Sequence, residues 1–367
     1  MNFSVSRDAF LKPLQFVAGV VERRNTLVIL GNVLLEAEGS VLRITGTDME
    51  VELIAEMALE APVAEAVKVT VAGRKLLDIV KSLPAEGQLQ LSNDTDRLII
   101  KCGRSRFSLA TLPANEFPNI QTDLQSSELL LAQGALKKVI QATSFAMAVQ
   151  DVRYYLNGIL LELKDQQLRA VATDGHRLAM SSVASSVVLP NVQVIVPRKG
   201  ILELDRLLED SEEPVRLALS SNHLRAKLGD YTFTTKLIDG KFPDYERVIP
   251  RGGDKEIVAD KEPLKQVLTR VAILSNEKYR GVRVVFDSGN LQVLANNPEQ
   301  EEAEENLVID YAGDALEIGF NVSYLIDVLS TVAGDQVMIK ASDSNSSVLI
   351  RDFDDDTGLY VVMPMRL

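Results

Sequence analysis

The densest group of potential metal ligands in this 367-residue sequence is the acidic run from Asp352 to Asp356. Asp352, Asp354 and Asp356 have the alternate spacing with which a calcium loop presents its first three carboxylates. Such a loop also needs a glycine at its sixth position and a bidentate glutamate at its twelfth. Thr357 and Met363 stand there instead, so we expect no calcium loop and no metal ion.

A second candidate for chemistry is Thr173-Asp174-Gly175-His176, which could be imagined as an acid–base pair. No serine or cysteine elbow accompanies it, and neither GxxxxGK[ST] nor GxGxxG after a strand occurs. The single cysteine, Cys102, excludes an internal disulfide framework and a cysteine-rich zinc site. The sequence therefore predicts a protein that is not an enzyme and uses no cofactor.

The composition is that of an ordinary globular protein, with 46% apolar and 25% charged residues. No run of 18 apolar residues occurs and the N-terminus lacks a signal pattern, so we expect a cytoplasmic protein without membrane contact. The net charge of −13 argues against nonspecific coating of nucleic acid. Net charge does not exclude one locally basic face.

The elements that must position any site occur in three related stretches, residues 26–53, 151–180 and 279–307. Each reads as a strand, a polar turn, a strand that begins with leucine, and a polar corner. The corners Thr47-Asp48 and Thr173-Asp174 are 126 residues apart, and Phe117-Pro118 returns 125 residues later as Phe242-Pro243. A repeat of this length predicts tandem domains of one kind.

Two amphipathic helices are predicted in each repeat. Leu11, Leu136 and Leu264 each open the first helix in this interpretation, with an apolar residue three positions later and a lysine at the next position. The second helices lie within residues 69–83, 194–208 and 318–332, after a short β run and before alternating strands.

Each repeat is therefore predicted to be α+β and to contain two βαβββ-type halves with helices on one face. Strands should outnumber helices by about four to one. Stretches rich in Pro, Asn and Asp mark the boundaries, which predicts three tandem domains at residues 1–122, 128–247 and 248–367.

Basic residues concentrate on the predicted helices, while acidic residues cluster at 299–305 and 352–356. Lysines and arginines without interleaved aromatic residues suit contact with backbone phosphates, not base readout or stacking on single strands. The alternative for any one lysine is a solvated helix face.

Several longer segments, AVATDGHRLAM, GKFPDYERVIPR, ANNPEQEEAEE, GFNVSYLIDVL and YVVMPMRL among them, resemble the bacterial DNA polymerase III β subunits, the sliding clamps. The resemblance spans essentially the whole chain. It implies a head-to-tail homodimer, a ring with helices lining the hole and sheets outside, through which duplex DNA passes without sequence preference. It also implies as partners the polymerase III α subunit, the clamp-loader δ subunit, and other clamp-binding polymerases and repair proteins.

The resemblance implies a pocket for partner peptides on the second domain and its junction with the third. An apolar concavity with a few polar groups suits short peptides that present one or two apolar anchors. Pro364 cannot donate to a strand ladder, so the C-terminal segment should lie at an edge or leave the sheet. The matching residues are Leu156, Thr173, Gly175, His176, Arg177, Leu178, Pro243, Arg247, Val248, Ser347, Val361, Val362, Met363, Pro364, Met365, Arg366 and Leu367.

Two further surfaces follow from the resemblance. The residues matching DNA-contacting positions or their neighbours are Arg24, Arg74, Gln150, Tyr154, Tyr155, Arg198 and Lys199. The residues matching the dimer interface are Arg104, Arg106 and Phe107 at one end, and Ile273, Leu274, Glu301 and Glu304 at the other. Basic residues at one end and acidic residues at the other provide the complementarity that a heterologous, ring-closing interface needs.

Two other functions stay open at this point. The chain could be a peptide-binding scaffold that works without DNA. It could also be an enzyme that hydrolyses phosphoesters with a divalent metal at Asp352 to Asp356.

Overall fold

The computed structural model describes residues 2–22, 27–120, 127–185 and 191–366. These residues form six consecutive halves, each with the order strand, helix and three strands. The 24 described strands and six α-helices confirm the predicted βαβββ pattern and the predicted ratio of about four strands to one helix. Three tandem α+β domains result.

The first domain contains strands β1 to β8 and helices α1 and α2. Their bounds are β1 Asn2–Ser6, α1 Arg7–Val20, β2 Asn32–Glu38, β3 Val41–Thr47, β4 Val51–Ala58, β5 Val67–Ala72, α2 Gly73–Ser82, β6 Gln88–Asp94, β7 Arg97–Cys102 and β8 Ser105–Leu112.

The second domain repeats this order with β9 to β16. The bounds are β9 Ser127–Ala132, α3 Gln133–Gln141, β10 Gly158–Lys164, β11 Gln167–Thr173, β12 Arg177–Ala184, β13 Val192–Pro197, α4 Arg198–Leu207, β14 Pro214–Leu219, β15 His223–Leu228 and β16 Tyr231–Lys236.

The third domain does so again with β17 to β24. The bounds are β17 Lys255–Asp260, α5 Lys261–Val271, β18 Gly281–Asp287, β19 Asn290–Asn296, β20 Glu302–Val308, β21 Leu316–Asn321, α6 Val322–Thr331, β22 Gln336–Ala341, β23 Val348–Asp352 and β24 Gly358–Val362.

The chain divides into two compact units, and the boundary between them runs through the second domain. Unit 1 is Met1–Gly134 with Leu202–Leu237, and unit 2 is Ala135–Ile201 with Ile238–Leu367. In unit 1 a twelve-stranded sheet has the order β1-β6-β7-β8-β5-β2-β3-β4-β16-β15-β14-β9. Unit 2 contains an eight-stranded sheet, β13-β10-β11-β12-β24-β23-β22-β17, and a four-stranded sheet, β20-β19-β18-β21. The domain limits at 122, 128 and 247 remain a prediction.

The pairing also explains how neighbouring domains share a sheet. In unit 1, β4 pairs with β16 antiparallel from Val51 opposite Thr235 to Ala55 opposite Tyr231. In unit 2, β12 pairs with β24 in the same way, with Leu178 opposite Val361. Each of these joints satisfies the backbone groups of two strands that would otherwise be exposed edges.

The second helices occupy the predicted positions. Gly73–Ser82, Arg198–Leu207 and Val322–Thr331 are each ten residues long and each follows directly on a strand. Their predicted stretches contained both the strand and the helix.

The predicted register of the first helices is wrong by one residue in the first domain. The helices begin at Arg7, Gln133 and Lys261, so Phe10 takes the place of Leu136 and Leu264. Phe10 is fully buried, whereas Leu11 lies at the margin of the buried face. Lys12 therefore corresponds to Lys138, and both are occupied in surface ion pairs, with Glu209 at 3.2 Å and Asp355 at 3.3 Å.

Candidate functional site

The site begins as an apolar cluster on the face of β10, β11, β12 and β24 in unit 2. Alternate residues of a strand point to the same face, which places Leu160 opposite Val171 and Leu178 opposite Val361 on neighbouring strands. All four side chains are buried, with exposures of 3% or less. Leu156, Phe242 and Tyr245 complete the cluster, and an apolar floor of this kind can receive apolar anchors of a peptide.

The corner between β11 and β12 forms one wall. The Thr173 hydroxyl donates to the Arg177 carbonyl at 2.6 Å and accepts from the Gly175 N–H at 3.0 Å. The Asp174 carboxylate accepts from the N–H groups of His176 and Arg177 at 2.9 and 3.1 Å. Gly175 has φ +90, a conformation that L side chains rarely adopt. The corner is thereby fixed before any ligand arrives.

Arg177 is held in place from several directions. Its guanidinium donates to Asp174 at 3.2 Å, to the Phe145 carbonyl at 2.9 Å and to Asp327 on α6. The group also lies 4.6 Å from the centre of the Tyr324 ring. With a side chain only 11% exposed, Arg177 acts as part of the wall and ties β12 to the third domain.

The C-terminal segment lies along the same corner. The Met363 N–H donates to the His176 carbonyl at 2.9 Å, and the Met365 N–H donates to Gly319 on β21 at 2.8 Å. β24 ends at Val362, so the chain leaves the strand before Pro364, as predicted. Met363 is 44% exposed, which leaves an adaptable side chain at the rim.

The linker after β16 forms the opposite wall and depends on a buried carboxylate. The Tyr245 hydroxyl donates to Glu162 at 2.6 Å, the Gln193 amide donates to the same carboxylate at 2.5 Å, and Arg169 lies 3.7 Å from it. Burial, and then the bond to Glu162, raise the pKa of Tyr245 to about 12. This network fixes the segment that carries Pro243 and Val248.

The structure brings most of the predicted pocket residues together. Leu156, Leu178 and Val361 share the floor. Arg247 does not join it, because its side chain is 83% exposed and pairs with Asp244 at 2.7 Å. Ser347 precedes β23 and is half-buried, while Leu367 lies outside the described residues.

Several residues of the site were missed in the sequence. Leu160 and Val171 lie in the apolar runs of β10 and β11, and those runs are the signal from which they could have been found. Glu162, Tyr324 and Asp327 act through partners 83 to 150 residues away in the chain, and no local pattern signals such pairs.

The residues predicted to face DNA lie on helix starts and on one loop. Arg74 is exposed in the first turn of α2, and Arg198 and Lys199 open α4. Cations in the first turn oppose the helix dipole, so helix stability does not explain them. They add positive charge at the two helix starts, which would attract phosphate.

The loop before β10 places Gln150 and Tyr154 at the surface. Gln150 is exposed with φ +54, and Tyr154 is 56% exposed with its ring 5.8 Å from that of Tyr155. Asp151 accepts from Arg153, which lowers the pKa of this carboxyl to about 2 and fixes the loop. Arg24 lies outside the described residues.

The predicted dimer residues lie on two strand edges. β8 carries Arg106 and half-buried Phe107, and it pairs with β5 only through Thr111 and Leu112. β20 is the last strand of the four-stranded sheet and carries Glu304. Arg104 and Glu301 are exposed in the adjoining turns.

Near the β20 edge, Ile273 is 76% exposed beside half-buried Leu274. Glu305 points to Arg270 at 2.5 Å and is used within the chain.

The acidic run from Asp352 to Asp356 forms contacts within the chain. In the described part of the chain, metal ligands are not grouped. No three His, Cys, Asp or Glu side chains there could hold a metal ion together. None of the described helices is long and apolar enough to cross a membrane. Asp352 instead accepts from the Gly334 N–H at 2.6 Å, and Asp355 pairs with Lys138.

Sequence models of the DNA polymerase III beta subunit match all three domains. The N-terminal domain model matches residues 1–121, the central domain model residues 130–244 and the C-terminal domain model residues 246–366.

Full-length relatives agree with these matches. The chain is 56% identical over 368 residues to the beta sliding clamp of Pseudomonas putida and 50% identical over 367 residues to that of Escherichia coli, with 100% of each chain covered. The crystal structure of a Pseudomonas aeruginosa sliding clamp bound to griselimycin superposes with a TM-score of 0.98 at 56% identity, covering 100% of both chains. The polymerase III beta structure of Caulobacter crescentus gives 0.94 at 40% identity, again covering 100% of both.

Proposed function

We propose specific surfaces for a chain that belongs to the DNA polymerase III beta subunit family and is therefore a sliding clamp, a processivity factor of DNA replication. The peptide surface is the cluster built on Leu156, Leu178 and Val361, with the Thr173–Arg177 corner and Met363 at its rim. The observation that carries this assignment is the preformed apolar floor, whose two walls are fixed by the Arg177 contacts and the Glu162–Tyr245 bond.

Partners use this surface through short segments with one or two apolar anchors. We assign to it the polymerase III α subunit, the δ subunit of the clamp loader, and other clamp-binding polymerases and repair proteins. Leu178 and Val361 receive the anchors, and Met363 adapts its side chain to different partners. No step of this binding requires catalysis, a metal or a cofactor.

The DNA surface consists of many weak phosphate contacts. Arg74, Arg198 and Lys199 at helix starts supply charge, and Gln150, Tyr154 and Tyr155 supply shape contacts on one loop. Arg24 belongs to this set by its match alone. Contacts of this kind give affinity without sequence preference and fall off with salt. The place of action is the cytoplasm, at the nucleoid.

The ring closes when the β8 edge of one copy meets the β20 edge of another. Phe107, Ile273 and Leu274 supply the apolar centre, and Arg104 and Arg106 face Glu301 and Glu304. The interface is heterologous, so two such contacts close a dimer.

The decisive experiment compares retention on nicked circular DNA and on the same DNA linearised, after loading by a clamp loader with ATP. Retention on circles and loss from free ends, at salt that screens phosphate contacts, is the expected result. Equal, salt-sensitive loss from both would show surface binding and reject encirclement. Peptide binding without retention on either would favour the DNA-independent scaffold.

A further inference from the structure

The framework of the peptide pocket occurs a second time, in unit 1. The corner Thr47-Asp48 repeats the pocket corner bond for bond. The Thr47 hydroxyl donates to the Val51 carbonyl at 2.8 Å, and Asp48 accepts from the N–H groups of Glu50 and Val51 at 2.9 and 2.7 Å. The strands around it, β2, β3, β4 and β16, pair as β10, β11, β12 and β24 do in unit 2.

The floor of this second copy has different chemistry. In the strand register, the pair Leu34–Thr45 corresponds to the pair Leu160–Val171 of the peptide pocket. The pair Glu52–Thr234 likewise corresponds to the pair Leu178–Val361. Three of the four positions that are apolar in the peptide pocket are therefore polar here, and one of them, Glu52, is a carboxylate.

An open cavity of about 570 Å³ lies over this floor. Its apolar walls include Leu34, Ile54 and Phe117-Pro118, and Glu52 lies among its lining residues. Phe117-Pro118 holds the place that Phe242-Pro243 has at the peptide pocket. We call this space the Glu52 cavity.

Glu52 is 2% exposed. Among the described residues it accepts one hydrogen bond, from the Ile120 N–H at 3.2 Å. Three cations also line the cavity. Arg43 pairs with Glu56 at 2.7 Å, Lys68 pairs with Glu36 at 2.5 Å, and Arg225 donates to the Thr234 hydroxyl at 3.4 Å. Burial raises the pKa of Glu52, and the hydrogen bond from the Ile120 N–H and the charge of Arg225 offset part of this effect. A buried carboxylate in such surroundings is stabilised by a cation brought to it.

We propose that the Glu52 cavity is a second binding site, which takes a lysine or arginine side chain presented by a peptide. The apolar walls pack the methylene stem, and the cationic head pairs with Glu52. The two copies of the framework thereby select opposite chemistry, because Leu178 receives an apolar anchor where Glu52 receives a charged one.

The test is a methyl NMR titration of the full-length protein, with leucine and isoleucine labelled. The probes are the blocked pentapeptide Gly-Gly-Lys-Gly-Gly and its norleucine twin. The lysine peptide should shift Leu34 and Ile54 saturably in the millimolar range, and the norleucine peptide should not. Leu160 and Leu178 report the peptide pocket in the same spectra, so failure at one site is separable from failure at the other.

Two variants with opposite expectations accompany the titration. Glu52→Gln should weaken the lysine peptide at least about tenfold, while Arg225→Gln should strengthen it. In the wild type, affinity should rise with pH through the titration of Glu52, because only the carboxylate pairs with the cation.

Three outcomes would overturn the proposal. One is the absence of saturable shifts at Leu34 and Ile54, and another is equal binding of the norleucine peptide. The third is equal affinity for n-butylammonium alone, which would show a cation site that does not recognise peptides.

Discussion

Arg177 shows how a residue can belong to a binding site without being free to bind. Its donors are directed to Asp174, Asp327 and the Phe145 carbonyl, and its face lies on Tyr324. The resemblance alone identified the position. The contacts with Asp327 and Tyr324 identify its role, which is to attach the pocket wall to the third domain.

Arg177→Ala should lower the free energy of unfolding by about 1–3 kcal/mol, because it leaves the partly buried Asp174 carboxylate and the Phe145 carbonyl without their donor. Peptide affinity should fall at least about tenfold, since the corner loses its support. Urea unfolding and fluorescence anisotropy measure the two effects. Arg283→Ala is the matched control, because Arg283 is half exposed in an ion pair of 3.5 Å with Glu317. Equal losses in both variants would contradict the assigned role.

Tyr245→Phe removes one hydroxyl from the Glu162 network and should cost about 1–3 kcal/mol at neutral pH. The folded-state pKa of about 12 lies above the ordinary value of about 10. The stabilisation is therefore complete below about pH 10 and is lost as pH rises through about 12. The stability difference between wild type and variant should shrink over that window in urea titrations. A difference that stays constant would exclude this titration.

At the corner between β11 and β12, Gly175 leaves room for the Arg153 guanidinium. A methyl group there would lie 2.9 Å from the Arg153 guanidinium, on backbone with φ +90. The corresponding Met49 in the first domain carries a side chain at φ +75, so the fold of the corner alone does not require glycine.

Gly175→Ala should therefore destabilise the protein by about 1–2 kcal/mol. It should also weaken peptide binding by displacing Arg153, which donates to the Asp174 carbonyl of the corner at 3.0 Å. Gly229→Ala tests backbone strain alone, since Gly229 has φ +51 and open space around it. We expect a similar loss of thermal stability in that control with unchanged peptide affinity. Unchanged affinity in Gly175→Ala would refute the steric explanation.

The elements differ in how far the sequence determines them. The second helices follow a strand directly and were located in all three domains. In α1 both Phe10 and Leu11 are apolar, so the local pattern fitted two registers, and only packing buries Phe10 fully. The β4–β16 and β12–β24 pairings could not be predicted, because the sequence of a strand does not specify which distant strand it pairs with.

The pocket residues likewise fall into those that were predicted and those that were not. Leu156, Leu178 and Val361 were reached through the resemblance, and the structure gathers them on one floor. Tyr245 and Glu162 were not reached, because their hydrogen bond joins residues 83 positions apart.

The proposed ring closes through opposite charges at the two ends of each copy. A variant with Glu301→Arg and Glu304→Arg should be monomeric, since both ends are then basic. A variant with Arg104→Glu and Arg106→Glu should be monomeric for the converse reason.

An equimolar mixture of the two variants should form a closed heterodimer, because every contact again joins opposite signs. Light scattering after size exclusion measures the masses, and added salt should weaken the mixed dimer most. Val152→Ala serves as a control for an exposed residue outside the interface. Homodimers in either charge-reversed variant alone would place the interface elsewhere.

The edge of β20 has a consequence for faulty assembly. An exposed strand edge offers its backbone to any extended chain, including another copy of itself. On β20, Glu302 and Glu304 project from exposed positions, so two such edges brought together would place like charges side by side. This repulsion disfavours pairing between two identical β20 edges. The same charge repulsion disfavours fibre-like association of single copies through this edge.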